Sequence, residues 1–151
     1  MGCDIHAVLQ EFNPQHNLWV TILKDVFPNR DYPLFTFLSG VRGNPGPHDE
    51  IAISGLPADF QVDAKGEHDG FQMGEHSFGH ITLDDFCDAD TPNTADNRKF
   101  AVETYINGYE VSFIDPSEED EYHWIRQYQA GLKAFFPDDP GRFRLVFGYD
   151  S

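Results

Sequence analysis

The sequence has few basic residues and no long apolar run. Its 151 residues include 10 Lys and Arg against 26 Asp and Glu, which gives a formal net charge of −16. Direct binding to nucleic acid depends on Lys and Arg to replace the counterions of the phosphates, so the composition predicts no such binding. Nothing approaches the roughly 18 consecutive apolar residues that a transmembrane helix requires. We therefore expect no contact with a membrane.

Cysteine is also scarce, with Cys3 and Cys87 as the two examples. Two cysteines cannot build a disulfide framework. Residues 1–10 contain neither the basic start nor the apolar stretch of a secretory signal. We therefore interpret both cysteines as free thiols and expect the protein in the cytoplasm of a host cell.

Apolar residues are plentiful by comparison. Hydrophobic residues make up 40% of the chain and aromatic residues 15%, including 14 Phe. This composition argues against disorder, and the length suffices to bury a core. The sequence therefore predicts one domain that spans residues 1–151.

The first forty residues predict a hairpin followed by a helix. Residues 3–12 and 18–23 are β-prone and flank a turn at Asn13. Apolar positions at helical spacing predict a helix over residues 32–41. The candidates for its N-terminal cap are Asn29 and Asp31.

Residues 43–80 are rich in Gly, Pro, His and Asp and show little periodicity. A run of this kind predicts a long central loop, a feature typical of functional loops and lids. The remaining predicted elements are a short helix over residues 83–87 capped by Thr82, a hairpin of strands 100–106 and 109–114 around Asn107-Gly108, a helix over residues 118–136 capped by Ser117, and a strand over residues 143–149. Together these elements predict an α+β fold, with a mainly antiparallel sheet of about five strands packed with two main helices.

Asp4 and His6 are the first candidates for chemistry. They stand two residues apart on a predicted strand, so both side chains lie on one face. A carboxylate beside an imidazole suits a divalent metal site or a histidine base that is oriented by the carboxylate. A hydrogen-bonded pair with a purely structural role is the competing interpretation.

A second histidine group lies in the predicted central loop, at His76 and His80. His68 and several carboxylates precede it within a short stretch. Catalytic metal sites use two or three such ligands and leave a position for water. We predict Asp4, His6, His76 and His80 as ligands of a divalent metal (Mn²⁺, Zn²⁺ or Mg²⁺), with Asp4, His6 and His76 as catalytic residues. Solvated histidines on a mobile loop are the alternative.

Arginines flank the predicted aromatic helix, and these residues suggest a ligand cleft. Arg30 and Arg42 would hold a phosphate or carboxylate through bidentate contacts if both faced one cleft, with Tyr32 between them. Asp59, in a tight turn, is a candidate for the rim of that cleft. Ordinary ion pairing in an acidic protein is the alternative. Ser77 lacks the strand–turn–helix context of a nucleophile elbow, so the sequence does not predict it as a nucleophile.

Several segments together resemble a known family. They are the opening Met1-Gly2-Cys3-Asp4-Ile5-His6, residues 30–42, Gly55-Leu56-Pro57 with Asp59, His76-Ser77 before residues 81–83, and the closing residues 144–150. The chain resembles a family of small proteins from bacteriophage and bacterial genomes that characteristically begin with this hexapeptide. It departs from the pattern at Ser54, where an Arg is expected, and it lacks a second His directly after His76-Ser77. The resemblance implies a phage or prophage origin and a shared site, but no particular reaction.

Three functions are compatible with these residues and with a phage protein that counters host defence. The first is metal-assisted hydrolysis of a small phosphorylated, nucleotide-like molecule, in which the metal activates water and Arg30 and Arg42 neutralise phosphate charge. The second is a sponge, defined here as a non-catalytic protein that sequesters a nucleotide second messenger, with pockets between the subunits of a possible homo-oligomer. The third is an acidic inhibitor that binds a host defence protein or a nucleic-acid-binding protein.

Overall fold

The computed structural model describes residues 2–41, 50–91, 122–136 and 139–151. A five-stranded sheet has the order β2-β1-β7-β6-β3, and every neighbouring pair is antiparallel. Its strands are β1 (Asp4–Asn13), β2 (Leu18–Lys24), β3 (Ile53–Ser54), β6 (His76–Thr82) and β7 (Phe143–Asp150). A separate two-stranded ribbon pairs β4 (Glu67–His68) with β5 (Phe71–Gln72). The helices are α1 (Tyr32–Ser39), α2 (Leu83–Asp88) and α3 (His123–Phe135), with a 3₁₀ turn at Pro140–Arg142. The predicted α+β fold is confirmed.

Strand alternation divides the sheet into two covered faces. The helices pack on one face, where the main core contains Ile5, Ala7, Leu9, Leu34, Phe35, Phe37, Leu38, Phe86, Ile125, Leu145, Phe147 and Tyr149. The other face carries a smaller cluster of Val8, Phe60, Met73 and Val146, joined by Leu56, Phe71 and Phe78. Since that cluster draws on residues 56–73, the segment that contains β4 and β5 forms a second layer over the sheet. Both central strands, β1 and β7, are therefore buried from two sides.

Helix α1 follows from local sequence signals. The Asp31 carboxylate accepts a hydrogen bond from Leu34 N–H at 3.2 Å and caps the first turn. The helix ends at Ser39, because Gly40 adopts a left-handed conformation with φ of 70° and its N–H bonds back to the last turn. The predicted cap at Asp31 is confirmed, and the predicted end at residue 41 is two residues too late. The short helix α2 also has its predicted cap, since Thr82 Oγ1 accepts from Asp85 N–H at 3.1 Å.

The prediction of a loop over residues 43–80 is wrong at the short strands β3, β4 and β5 and at the start of β6. Strand β6 begins at His76 and lies between β3 and β7. Its sequence hides the strand because the ladder to β7 is irregular between His76 and Gly79, which interrupts the alternation on which a strand prediction depends. The first part of the predicted loop, residues 43–49, lies outside the described residues.

Strand β7, near the C-terminus, lies where it was predicted, and so does the N-terminal hairpin of β1 and β2. Helix α3 begins at His123, later than the predicted start at residue 118, and no side chain caps it. The predicted cap Ser117 and the predicted hairpin around Asn107-Gly108 lie outside the described residues.

Gly148 provides a test of the two-layer packing. It faces the second layer, and a Cβ atom there would lie 2.2 Å from the Met73 carbonyl oxygen and 2.5 Å from the Phe78 ring. Overpacking of this kind costs typically about 1–3 kcal/mol. We expect Gly148→Ala to lower the free energy of unfolding by at least that much in chemical denaturation.

Gly131→Ala is the matched control. Among the described residues, apart from the backbone of α3 itself and the two chain neighbours, no atom lies within 4 Å of the Cβ position at Gly131 on α3. Since Ala favours a helix over Gly by about 1 kcal/mol, this change should raise the free energy of unfolding. Equal behaviour of the two variants would contradict the second layer.

Candidate functional site

The start of β1, the end of β7 and the start of α1 meet at one corner of the sheet. In the antiparallel register Asp4 lies opposite Asp150, and His6 lies opposite Gly148. The Tyr32 hydroxyl at the start of α1 accepts a hydrogen bond from the Cys3 N–H at 3.3 Å. We call the four residues Asp4, His6, Arg30 and Asp150 the corner cluster.

His6 and Asp150 form the shortest contact of the corner cluster. The His6 Nε2 atom lies 2.6 Å from the Asp150 Oδ2 atom, and the side chains are 22% and 35% exposed. An ionised carboxylate can only accept a hydrogen bond, so Nε2 carries the proton and donates it. When the ring is neutral, Nδ1 is then left with a lone pair. A histidine oriented in this way by a carboxylate can take a proton from a ligand or from water.

Asp4 and Arg30 form the second pair. Arg30 donates from Nε to Asp4 Oδ1 at 2.7 Å and from Nη2 to Asp4 Oδ2 at 3.2 Å. This hydrogen bonding holds the pKa of Asp4 below its usual range and raises the pKa of Arg30. The guanidinium lies directly over Gly2, where a Cβ atom would come within 1.9 Å of Nη1. The glycine in the opening hexapeptide therefore leaves room for Arg30.

A cleft adjoins the corner cluster on the side of α1 and α3. Its volume is about 760 Å³, and its walls include Arg30, Tyr32, Trp124, Gln127 and Tyr128. The Trp124 side chain is 63% exposed and Tyr32 is 36% exposed. The cleft thus combines an arginine with two accessible aromatic rings, a set that can hold a flat, anionic molecule.

The structure separates His76 from His6. His76 lies opposite Tyr149, whose side chain belongs to the helix face, and the two rings stack with centroids 6.3 Å apart. His6 lies on the other face, where its ring meets the edge of Phe71 at 6.2 Å. The predicted grouping of His6 with His76 is therefore absent from the described arrangement.

His80 also lies apart from His76, and it makes a structural contact. Its Nδ1 donates to the Gly55 carbonyl at 2.8 Å and ties β6 to the turn after β3. Since the irregularity between His76 and Gly79 shifts the alternation, His80 faces the second layer opposite Val146. The spacing of four residues thus leaves the two histidines of β6 on different faces.

These separations bear on the predicted metal site. In the described ranges no group of three or more His, Cys, Asp and Glu side chains is arranged to hold a metal ion. Asp4 is engaged by Arg30, and His6 by Asp150. The residues as arranged do not fit a shared metal, and the binding of Mn²⁺, Zn²⁺ or Mg²⁺ stays a prediction.

Two further residues of the predicted cleft lie elsewhere or outside the described ranges. Asp59 pairs with Arg144 Nη1 at 3.0 Å under the second layer, on the face opposite the helices. Arg144 in turn donates to Gln10 Oε1 at 2.8 Å and stacks on Trp19 at 4.3 Å. Asp59 is thus part of a structural network. Arg42 lies outside the described residues.

Sequence reasoning missed Asp150 and Trp124. Asp150 closes a β-prone strand, but its relation to His6 depends on the pairing of β1 with β7, and strand order was not predicted. Trp124 lies within the predicted helix over residues 118–136, where an aromatic residue indicates an apolar helix face and not a ligand site. The residues that α3 buries are Ile125 and Gln129, so Trp124 lies off the buried face. The sequence therefore carries only a weak signal for its exposed position.

Comparisons with protein-family models, with curated proteins and with solved structures gave no match to this chain. The bacteriophage family named above therefore stays a resemblance. None of the helices in the described ranges is long and apolar enough to cross a membrane.

The Asp4–Arg30 pair predicts a specific pH dependence. Because the folded-state pKa of Asp4 is lowered, the pair stabilises the fold above the unfolded-state pKa of about 4. That stabilisation is lost as the pH falls through the folded-state pKa. We expect Arg30→Gln to raise the pKa of Asp4 towards its ordinary value, as measured by carboxyl ¹³C NMR titration.

Arg142→Gln is the control for this titration, because Arg142 is a comparably exposed arginine that pairs with Glu11 at the other end of β1. It should leave the pKa of Asp4 unchanged. An Asp4 titration that is the same in all three proteins would contradict the pairing.

Proposed function

We propose that this chain binds a small phosphorylated, nucleotide-like molecule in the cleft between α1 and α3. The observation that carries the proposal is the juxtaposition of Arg30 with the exposed rings of Tyr32 and Trp124 around a volume of about 760 Å³. Ligand pockets commonly occupy about 300–1,000 Å³. A nucleotide has both a flat base and a phosphate, so it can use both kinds of side chain at once.

The aromatic part of the cleft supports recognition of a base. A base that stacks on an aromatic side chain gains about 1–3 kcal/mol, with little dependence on which base it is. Trp124 projects from the first turn of α3 and is 63% exposed, although a large apolar ring is normally covered. The Tyr128 hydroxyl is hydrogen-bonded to Asn29, and burial raises its pKa above the ordinary value, so it stays protonated at neutral pH as an ordinary tyrosine does.

The polar part of the cleft supports recognition of a phosphate. Arginine has five N–H donors in a planar fork, and Asp4 takes two of those of Arg30. The other three contact no acceptor in the part of the chain that the structure describes, so a phosphate can bind beside Asp4. Bidentate arginine–phosphate contacts are among the stronger hydrogen bonds in proteins. Asp4 offsets the charge of Arg30 and the Asp31 carboxylate also lines the cleft, so the support for an anion site is the three remaining N–H donors of Arg30 and not a net positive charge.

A second candidate is hydrolysis of the bound molecule. The His6–Asp150 pair is not part of the cleft lining, but it lies beside Asp4 in the corner cluster and offers a base there. Nδ1 of His6 is the free position of an imidazole that is oriented by a carboxylate at 2.6 Å. In this candidate Nδ1 takes a proton from water as the water oxygen bonds to phosphorus, the bridging P–O bond breaks, and the leaving phosphate departs with the proton from His6. Arg30 stabilises charge on the phosphoryl oxygens. No step passes through a metal. Without turnover, the same cleft serves as a sponge, and in either case we propose that the phage-type protein acts against a nucleotide signal of host defence.

Binding of ADP and adenosine to the same variants tests the cleft. We expect Arg30→Ala to weaken ADP binding at least about tenfold, since hydrogen bonds to a charged group contribute about 1.5–3 kcal/mol. Adenosine binding should change little. Trp124→Ala should weaken both ligands by about tenfold, because it removes the stacking platform. Isothermal titration calorimetry measures the affinity of the wild-type protein and of both variants for ADP and for adenosine.

Matched controls exist for both variants. Phe135→Ala removes an 82% exposed ring from the far end of α3, and Arg142→Gln removes an exposed arginine at the opposite end of β1. Neither should alter ADP affinity. The proposal fails if wild-type protein binds neither ligand, or if Arg30→Ala weakens ADP and adenosine equally.

Turnover is read from the same samples by ³¹P NMR. Hydrolysis predicts that phosphate accumulates with wild-type protein and that His6→Asn slows it about 100-fold or more, with ADP affinity retained. ADP that is recovered intact from wild-type protein would eliminate hydrolysis of this probe and leave the sponge.

A further inference from the structure

Ser77 has an unusual backbone conformation for its position in the sheet. Its φ is 54°, inside the left-handed region that residues other than glycine rarely adopt. Five other described residues share this conformation. Four are Asn or Asp, whose short side chains tolerate it (Asn17, Asp25, Asp69 and Asp139), and the fifth is Glu50. Serine lacks that advantage, and Ser77 lies within strand β6. Strained residues of this kind cluster at active sites, where the surrounding structure holds them in place.

The Ser77 hydroxyl lies against an imidazole. Ser77 Oγ lies 2.9 Å from His76 Nδ1, and His76 Nε2 lies 2.8 Å from Ser151 Oγ. If Nε2 donates to Ser151, Nδ1 accepts the proton of the Ser77 hydroxyl. The imidazole ring is held further by stacking on Tyr149. A hydroxyl, a base and a group that orients the base form the arrangement that activates a nucleophilic serine.

A small pocket opens at this hydroxyl. It has a volume of about 260 Å³ and is lined by Ser77, Gly79, Ser39, Ser54 and Glu50, among others. The irregular pairing of β6 leaves Ser77 and Phe78 without partner residues on β7. The nucleophile therefore faces a cavity in which a small group could sit, and its side chain is exposed.

The charge of the pocket limits which substrates it can accept. Its walls include the carboxylate of Glu50, and no Lys or Arg lines it within the described residues. A phosphate monoester or another anion would be repelled there, whereas an uncharged ester would not. The pocket differs in this respect from the cleft beside Arg30, and it lies on the helix face, separate from His6.

We propose that Ser77 is a nucleophile activated by His76 and that it attacks small uncharged esters. His76 Nδ1 takes the hydroxyl proton as Ser77 Oγ bonds to the carbonyl carbon. The bond from that carbon to the alkoxy oxygen breaks, and the alcohol leaves with the proton from His76. Water then attacks the acyl-serine by the same proton transfers and releases the carboxylic acid. This activity is independent of the proposed nucleotide cleft.

Labelling with diisopropyl fluorophosphate, an uncharged reagent, tests the proposal. The Ser77 Oγ–P bond forms, the P–F bond breaks, fluoride leaves, and the proton passes through His76 to solvent. We expect one diisopropylphosphoryl group per chain, located at Ser77 by peptide mass spectrometry. His76→Asn should slow labelling about 100-fold or more, the range typical of a lost general base.

Two further variants separate chemistry from folding. Ser77→Gly should abolish labelling without loss of the fold, because glycine accepts the positive φ. Asn17→Gly, the matched control at another positive-φ position in the turn between β1 and β2, should label like wild type. Ser151→Ala leaves both reacting residues in place and should slow labelling several-fold, because His76 loses its orienting partner.

Substrate preference completes the test. The protein should release p-nitrophenol from p-nitrophenyl acetate in a burst of one equivalent, and it should not hydrolyse p-nitrophenyl phosphate at this site. The proposal is overturned if wild-type protein is not labelled, if the label lies on another residue, or if folded His76→Asn labels at the wild-type rate.

Discussion

The antiparallel pairing of β1 with β7 is the interaction on which the rest of the structure depends. These strands lie at the two ends of the described chain, yet they are neighbours at the centre of the sheet, with eight consecutive partners from Asp4↔Asp150 to Glu11↔Phe143. Because side chains alternate, this one register sends Ile5 and Tyr149 to the helix face and His6 and Asp150 to the other. A slip by one residue would bury the charged corner and expose the core.

Because acidic residues outnumber basic ones in this chain, its arginines readily find carboxylate partners. Three described arginines each meet a carboxylate: Arg30 meets Asp4, Arg142 meets Glu11 and Arg144 meets Asp59. Burial lowers the pKa of Arg144, while its contact with Asp59 acts in the opposite direction. Arg144 joins the second layer to β1 and so has a structural role, whereas Arg30 is exposed and borders a cleft. Arg30 and Arg142 are both exposed, so a ligand can bind beside either pair without disturbing the core, and of the two only Arg30 borders the proposed nucleotide cleft.

A chain of hydrogen bonds below the second layer satisfies the polar side chains on that face of the sheet. Gln10 accepts from Arg144 and donates to Thr21 Oγ1, which lies 2.6 Å from His68 Nε2. His68 Nδ1 donates to the Gln61 carbonyl at 2.6 Å. When the His68 ring is neutral, this arrangement places its proton on Nδ1 and lets Nε2 accept from Thr21. His68, which the sequence grouped with possible metal ligands, is a buried structural residue that stacks on Phe60.

Local signals in the sequence predicted those parts of the fold that local physics decides. The hairpin of β1 and β2, the cap at Asp31 and the final strand depend on alternation and capping, which are visible in short windows. Strand β6 was missed because the bulge at Ser77 disrupts the alternation. The neighbours of each histidine could not be predicted, because they depend on strand order. Asp4 and His6 were correctly assigned to one face, but the partner of His6 came from the opposite end of the chain.

The tautomer of His6 tests the central pairing most directly. Long-range ¹H–¹⁵N correlation spectra in mildly alkaline solution, where imidazole rings are neutral, distinguish a proton on Nε2 from one on Nδ1. The contact with Asp150 predicts that His6 carries its proton on Nε2 and that Asp150→Asn reduces this preference. A His6 ring with its proton on Nδ1 in the wild-type protein, or one that is unaffected by Asp150→Asn, would contradict the joining of the two strand ends into one site.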